Sequence, residues 1–138
     1  MIVVDTSVVL KWFVPEEGSL SALALLGRVM IAPDLLQAEL GNVLAKKVRR
    51  RELAVEQARS AFSAAPDLLS LLPMGAWADD AFAMSLELVH EIYDCYFLAV
   101  ARAHDAVLVT ADGKFANKVR TSRYARLIAE LEEPLSHG

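Results

Sequence analysis

Met1-Ile2-Val3-Val4-Asp5-Thr6-Ser7 is the stretch on which the reading of this chain turns. Ile2 to Val4 are apolar at every position, so a strand there must be covered on both faces. The run stops on an acid, and Thr6 or Ser7 can then start a helix through Phe13, which Pro15-Glu16-Glu17-Gly18 ends. A short buried strand that passes at once into a helix is the opening of a parallel-sheet unit. Working outward, the pattern repeats. Leu20 to Val29 read as a second helix and Met30-Ile31-Ala32 as a second strand. Pro33-Asp34 starts a long helix to about Arg50, with Asp34 and Gln37 spaced like a capping box. Val55 to Ala65 read as a helix, Pro66-Asp67 as a turn, and Leu68 to Leu72 as a strand stopped by Pro73 and Gly75. Trp77 to His90 carry Ala81, Met84 and Leu88 at helical spacing, and Asp94 caps a nearly all-apolar helix to about Ala103. Ala106 to Val109 form a buried strand, Asp112 or Gly113 begins a helix to Arg120, Tyr124 to Ile128 form a last strand, and Leu131 to Gly138 a frayed tail. The expectation is one α/β domain over residues 1–138, three layers deep, with a central parallel sheet of about four to five strands.

The bulk numbers narrow the function. The chain has 138 residues, enough for one domain with a real core. Its hydrophobic share of 55% exceeds the ~45–50% usual for soluble domains, so part of the excess is expected to cover a partner surface. No apolar run approaches the ~20 residues of a membrane helix, and the first run ends at Asp5 without a basic flank, unlike a signal peptide. Cys95 is the only cysteine, which forbids an internal disulfide and suits a reducing cytoplasm. A net charge of −4 argues against binding nucleic acid by bulk charge alone, but not against binding through metal ions and a local basic patch.

Four acids sit against apolar sequence. Asp5 and Asp112 follow strands, Asp94 heads an apolar helix, and Glu39 lies inside a helix between Leu36 and Val43. Taken singly, each Asp has a plain structural use as a helix cap. Glu39 caps nothing; its plain reading is a solvated edge beside Asn42. A carboxylate near a core is costly unless paired or bound to a cation, and the apolar runs that adjoin these four contain no Lys or Arg. In open parallel sheets, sites lie beyond the carboxyl ends of the strands, so the chain order permits all four to converge. Hard ions such as Mg²⁺ and Mn²⁺ take carboxylate oxygen, and one or two of them suffice for phosphodiester hydrolysis without a covalent nucleophile. Ser7 and Thr110 flank the acids and are candidates to orient a metal-bound water or a phosphate, or only to cap local backbone.

The ordered set Val3-Val4-Asp5-Thr6-Ser7-Val8-Val9-Leu10-Lys11-Trp12-Phe13, Pro33-Asp34-Leu35-Leu36-Gln37-Ala38-Glu39-Leu40, Tyr93-Asp94-Cys95-Tyr96-Phe97-Leu98-Ala99-Val100-Ala101 and Leu108-Val109-Thr110-Ala111-Asp112-Gly113-Lys114-Phe115 resembles the PIN-domain family, and within it VapC-type toxin ribonucleases of type II toxin–antitoxin systems. Each motif alone is weak, but the ordered set spans nearly the whole chain. The resemblance implies a PIN-like α/β/α fold and a metal-dependent endoribonuclease. It implies Asp5, Glu39, Asp94 and Asp112 as catalytic, metal-binding acids, with Asp5 and Asp94 the most direct ligands of Mg²⁺, or of Mn²⁺ in its place. It also implies a homodimer, an antitoxin whose C-terminal segment covers the site in a hetero-oligomer, and contact with operator DNA only through that antitoxin. Cys95 stands where a small residue is common, and Gly113 replaces a frequent basic residue; neither removes a proposed ligand.

Lys46, Lys47, Arg49, Arg50 and Arg51 form the strongest basic run, at the end of the long helix. With Lys11 and Lys114 they are the candidate RNA-backbone contacts, although cations at a helix C-terminus also serve the helix dipole. His90, His104 and His137 lack ligand-like spacing and receive no role. An aspartyl phosphatase would want an acid where Ser7 stands, and a phospho-receiver domain would want paired acids after the first strand. The remaining alternative is a catalytically inactive PIN-like module that binds RNA or protein.

Overall fold

The computed structural model describes residues 1–132. Within them five strands form one sheet: β1 (Ile2–Val4), β2 (Met30–Pro33), β3 (Ser70–Leu72), β4 (Val107–Thr110) and β5 (Ile128–Glu130). Every pairing is parallel and the spatial order is β3-β2-β1-β4-β5, with Val3 opposite both Ile31 and Leu108. The expected parallel α/β sheet is therefore present, at five strands. From β1 the chain steps outward through β2 to β3, then returns to the other side of β1 for β4 and β5. The reversal falls between β1 and β4, the place where such sheets open a crevice for ligands.

Among the described residues seven α-helices accompany the sheet: α1 (Thr6–Phe13), α2 (Ser19–Leu23), α3 (Leu35–Arg49), α4 (Val55–Ala64), α5 (Ala78–Leu88), α6 (Ile92–Ala103) and α7 (Gly113–Arg120). Ile2, Val3 and Val4 are all buried, which requires cover on both faces of β1 because successive side chains point oppositely. α6 lies against β1, β2 and β4 and has α5 behind it. That position explains its sequence: Phe97, Leu98, Ala99, Val100 and Ala101 are all buried, so no polar stripe is needed.

The structure corrects several boundaries. α2 stops at Leu23 instead of reaching Val29; Gly27 takes φ +95°, and Leu20 and Val29 are exposed, so no apolar face holds a longer helix. Asp34 makes no capping box. Its Oδ1 accepts from the backbone N–H of Met74 at 3.0 Å, which ties the exit of β2 to the exit of β3. The helix expected from Trp77 to His90 is a 3₁₀ turn (Met74–Trp77) followed by α5, which closes on Val89 in a left-handed conformation. Glu91 occupies the cap position of α6, so Asp94 lies within its first turn and caps nothing. The last strand starts at Ile128, after a 3₁₀ turn over Ala125–Leu127. Leu131 is buried and its N–H donates to the carbonyl of Thr110 at 2.8 Å, so the chain is still attached where a tail was expected. Residues 133–138 of that expected tail lie outside the described residues. Among the described residues no helix is long and apolar enough to cross a membrane.

Candidate metal centre

Asp5 leaves β1 directly over the crevice and is 7% exposed. Its carboxylate serves as the cap of α1, accepting from the Val8 N–H at 3.3 Å. Two hydroxyls complete its surroundings. Ser7 Oγ donates to Oδ1, and Thr110 Oγ1, at the end of β4, donates to Oδ2. Each hydroxyl also accepts a backbone N–H, from Ala111 for Ser7 and from Asp112 for Thr110, both at 3.0 Å. An oxygen that accepts from a backbone N–H turns its own proton the other way, so both protons point at Asp5. Ser7 and Thr110 thus bolt the ends of β1 and β4 together through one carboxylate. Their hydroxyls are engaged with Asp5 and the backbone of Ala111 and Asp112. Burial pushes Asp5 up to about 6; the two hydroxyl bonds pull it back, and Asp94 pushes it further up.

The other three acids arrive on helices. Glu39, one turn into α3, accepts from Thr6 Oγ1 at 2.8 Å through Oε1. Its pKa is raised by burial, opposed by the Thr6 bond, and raised again by Asp94. Asp94 is half-buried in α6, and its Oδ2 lies 2.6 Å from His90 Nε2. Burial raises its pKa, the His90 bond and charge lower it, and Asp112 raises it. Asp112 caps α7, with Oδ1 accepting from the N–H groups of Lys114 and Phe115 at 3.1 and 3.2 Å. Asp94 is therefore the acid linked by charge to each of the other three: it raises Asp5 and Glu39, and Asp112 raises it. Thr6 and His90 each touch one of these acids, although no local signal in the sequence marks either of them for that contact.

The donor set suits a hard divalent cation. It offers only carboxylate oxygen, the carboxylates repel one another, and none of the ion pairs within the described residues joins a Lys or Arg to any of them. The arrangement is nevertheless open. Among the described residues, no three His, Cys, Asp or Glu side chains close on one point as a metal cage does. Each acid instead holds its own protein donor.

The proposed RNA contacts are scattered. Lys114 is exposed two residues after Asp112, beside the site. Lys11 turns away to Glu16 Oε1, at 3.2 Å, and to the carbonyl of Glu17. Lys46, Lys47, Arg49 and Arg50 sit about 10 to 16 Å further along the helix axis than Glu39, by helical rise. Lys47 also faces Glu52 at 3.8 Å.

The PIN domain family pattern matches residues 2–120. The chain belongs to the PIN-domain family. Ribonuclease VapC3 of Pyrobaculum aerophilum is 30% identical over 122 residues, which cover 85% of this chain and 93% of that protein. Ribonuclease VapC1 of Mycobacterium tuberculosis is 34% identical over 94 residues, 62% of this chain and 64% of that protein. The match thus spans less than two thirds of the mycobacterial relative. The crystal structure of PAE2754 from Pyrobaculum aerophilum superposes with a TM-score of 0.68 at 21% identity, over 95% of this chain and 89% of that chain, and so shares its fold.

Proposed function

We propose that this PIN-domain protein is a divalent-metal-dependent endoribonuclease of the VapC kind, which hydrolyses RNA phosphodiester bonds. The observation that carries the reading is Asp5: a carboxylate that is buried at the sheet's reversal point, is pushed up to about 6, and faces Asp94 with no basic side chain to neutralise it. The names of the VapC relatives point the same way.

Asp5 and Asp94 would hold Mg²⁺ or Mn²⁺ most directly, and Glu39 and Asp112 would complete its surroundings, partly through water. Bound there, the ion supplies charge neutralisation at the phosphate and a more acidic water. Ser7 and Thr110 fix the Asp5 carboxylate, so its lone pairs are aimed before the ion arrives. Lys114 is the nearest of the candidate cations to the acids in sequence and takes the RNA backbone beside the cut. The basic end of α3 serves the strand further out. A VapB-type antitoxin would neutralise the toxin by covering this crevice; an arginine on it suits the acids as a cation that displaces the metal. A homodimer and a toxin–antitoxin hetero-oligomer accord with the 55% hydrophobic share, and operator DNA would be reached only through the antitoxin.

The test is cleavage of labelled RNA by the wild type with Mg²⁺, by the wild type with EDTA, and by Asp5→Asn with Mg²⁺. The first should cut. The other two should fall by roughly 10³-fold, the equivalent of several kcal/mol of lost charge stabilisation. Equal cleavage in all three sinks the reading; RNA binding without cutting in any of them favours the inactive binding module.

A further inference from the structure

His90 lies outside the acidic set, yet the fold is organised to present it. α5 closes on Val89 at φ 51° and ψ 55°, a conformation that favours glycine and is unusual for a β-branched residue. Val89 is 81% exposed, so the strain is not incurred to bury its side chain. What the turn achieves is to swing the next residue inward. His90 N–H donates to the carbonyl of Ser85 at 3.1 Å, and Ser85 Oγ donates back to the carbonyl of His90. From the other side, Lys118 Nζ on α7 donates to the carbonyl of Val89 at 3.0 Å. The imidazole then lies 4.7 Å, centroid to centroid, from the ring of buried Phe115, whose own N–H is held by Asp112. Two helices and a strained turn therefore fix one ring, and its Nε2 ends 2.6 Å from Asp94 Oδ2.

We propose that His90 is a positioning residue for the metal site: it anchors Oδ2 of Asp94 and so presents Oδ1 to the divalent cation. The inference rests on the metal-dependent reading above. Facing an ionised carboxylate, Nε2 carries the proton and donates. A ligand carboxylate held through one oxygen has lost most of its rotation before the ion binds, which is how partners behind a metal ligand raise affinity. His90 makes the same provision for Asp94 that Ser7 and Thr110 make for Asp5.

The experiment compares wild type, His90→Ala and His90→Gln, whose side-chain amide can place an N–H near the position of Nε2. Two quantities are read at fixed pH: the Mn²⁺ dissociation constant obtained from the rise of melting temperature with Mn²⁺ concentration, and the Mn²⁺ concentration giving half-maximal RNA cleavage. His90→Ala should raise both by roughly 10-fold or more, the usual effect of losing such a partner, and His90→Gln should recover most of the loss. His90→Leu, close in volume and without a donor, replaces the alanine variant if that fails to fold. An Ala or Leu variant that binds Mn²⁺ as tightly as wild type, or more tightly, overturns the proposal; tighter binding would mean that His90 competes with the ion. A wild type that neither melts higher with Mn²⁺ nor cuts RNA overturns the nuclease reading and this inference with it. A responsive wild type beside an equally responsive His90→Ala overturns this inference alone.

Discussion

Asp5 and Asp94 face the same crevice, but they are held in opposite ways. Asp5 is the residue after a central strand, and its partners come from two neighbouring strand exits: Ser7 and Val8 after β1, Thr110 at the end of β4. The sheet register that places Val3 opposite Leu108 and Val4 opposite Val109 also places these donors. Asp94 stands on a helix that packs across the sheet, and its one side-chain partner comes from a turn. One acid is thus aimed by backbone pairing that cannot shift without slipping a strand. The other is aimed by helix packing plus a single imidazole. The first arrangement is stiff and costs the fold a buried charge; the second is adjustable and more exposed to solvent.

The largest consequence is a pH dependence carried by Asp5. Burial raises its pKa from an ordinary 3.8 to about 6. In the unfolded chain the group loses its proton near 4, while in the folded chain it keeps it until about 6. Across that window the native state binds more protons, so stability falls as pH rises. The full difference is about 3 kcal/mol, present below pH 4 and lost by about pH 7. In EDTA, the stability of the wild type should therefore fall between pH 4 and pH 7 relative to Asp5→Asn, which lacks the titrating group. Denaturant melts across this range check it. Parallel wild-type and Asp5→Asn curves would show that Asp5 is not the strained member of the pair.

A smaller effect separates the two kinds of support. Thr110→Val keeps the shape of a fully buried side chain but removes the donor to Asp5 and the acceptor for the Asp112 N–H. Bonds to charged groups are worth roughly 1.5–3 kcal/mol, so a loss of about 2 kcal/mol is expected in denaturant melts at pH 7. Thr6→Val removes only the half-buried bond to Glu39 and should cost about 1 kcal/mol or less. If the two variants lose equal stability, the strand-end lattice around Asp5 is no stiffer than a helix contact.

The contrast also explains what the sequence could reveal. Asp5 and Asp112 stand out in the sequence because each comes within two residues of a strand's end, and a strand followed by an acid is a local pattern. The uses of Ser7 and Thr110 were not legible. Thr110 meets Asp5 across 105 positions of sequence, and only the pairing of β1 with β4 brings them together. Thr6 and Glu39 meet across 33 positions for the same kind of reason. His90 was hidden by Val89. Leu88-Val89-His90 contains no glycine, asparagine or proline to mark a break, so the apolar spacing carried the helix on through His90. With that turn unseen, the four-residue spacing from His90 to Asp94 looked incidental, because residue 90 closed one helix while residue 94 capped the next. The boundaries that failed elsewhere, at Asp34 and at Tyr124 to Leu127, failed likewise where a long-range contact replaced the local one. Asp34 spends its carboxylate on Met74, and Tyr124 sends its hydroxyl to Glu87 on α5.

The smallest expected effect is the one that most sharpens the difference between the two acids. Asp94→Asn removes the charge that pushes up both Asp5 and Glu39. It costs little in hydrogen bonding, because the carbonyl oxygen of asparagine can still accept from His90. Asp5→Asn has no such escape: its amide would turn an N–H toward hydroxyls whose protons already point inward. The metal-free Asp94→Asn protein should therefore melt higher than wild type, by on the order of 2 °C at pH 7, while RNA cleavage is lost. Asp5→Asn should gain less, because the amide mismatch offsets the relief of burial. Thermal melts in EDTA decide the order. If Asp94→Asn melts below wild type, repulsion among the acids does not govern this site, and the His90 contact contributes more to the fold than the charge takes from it.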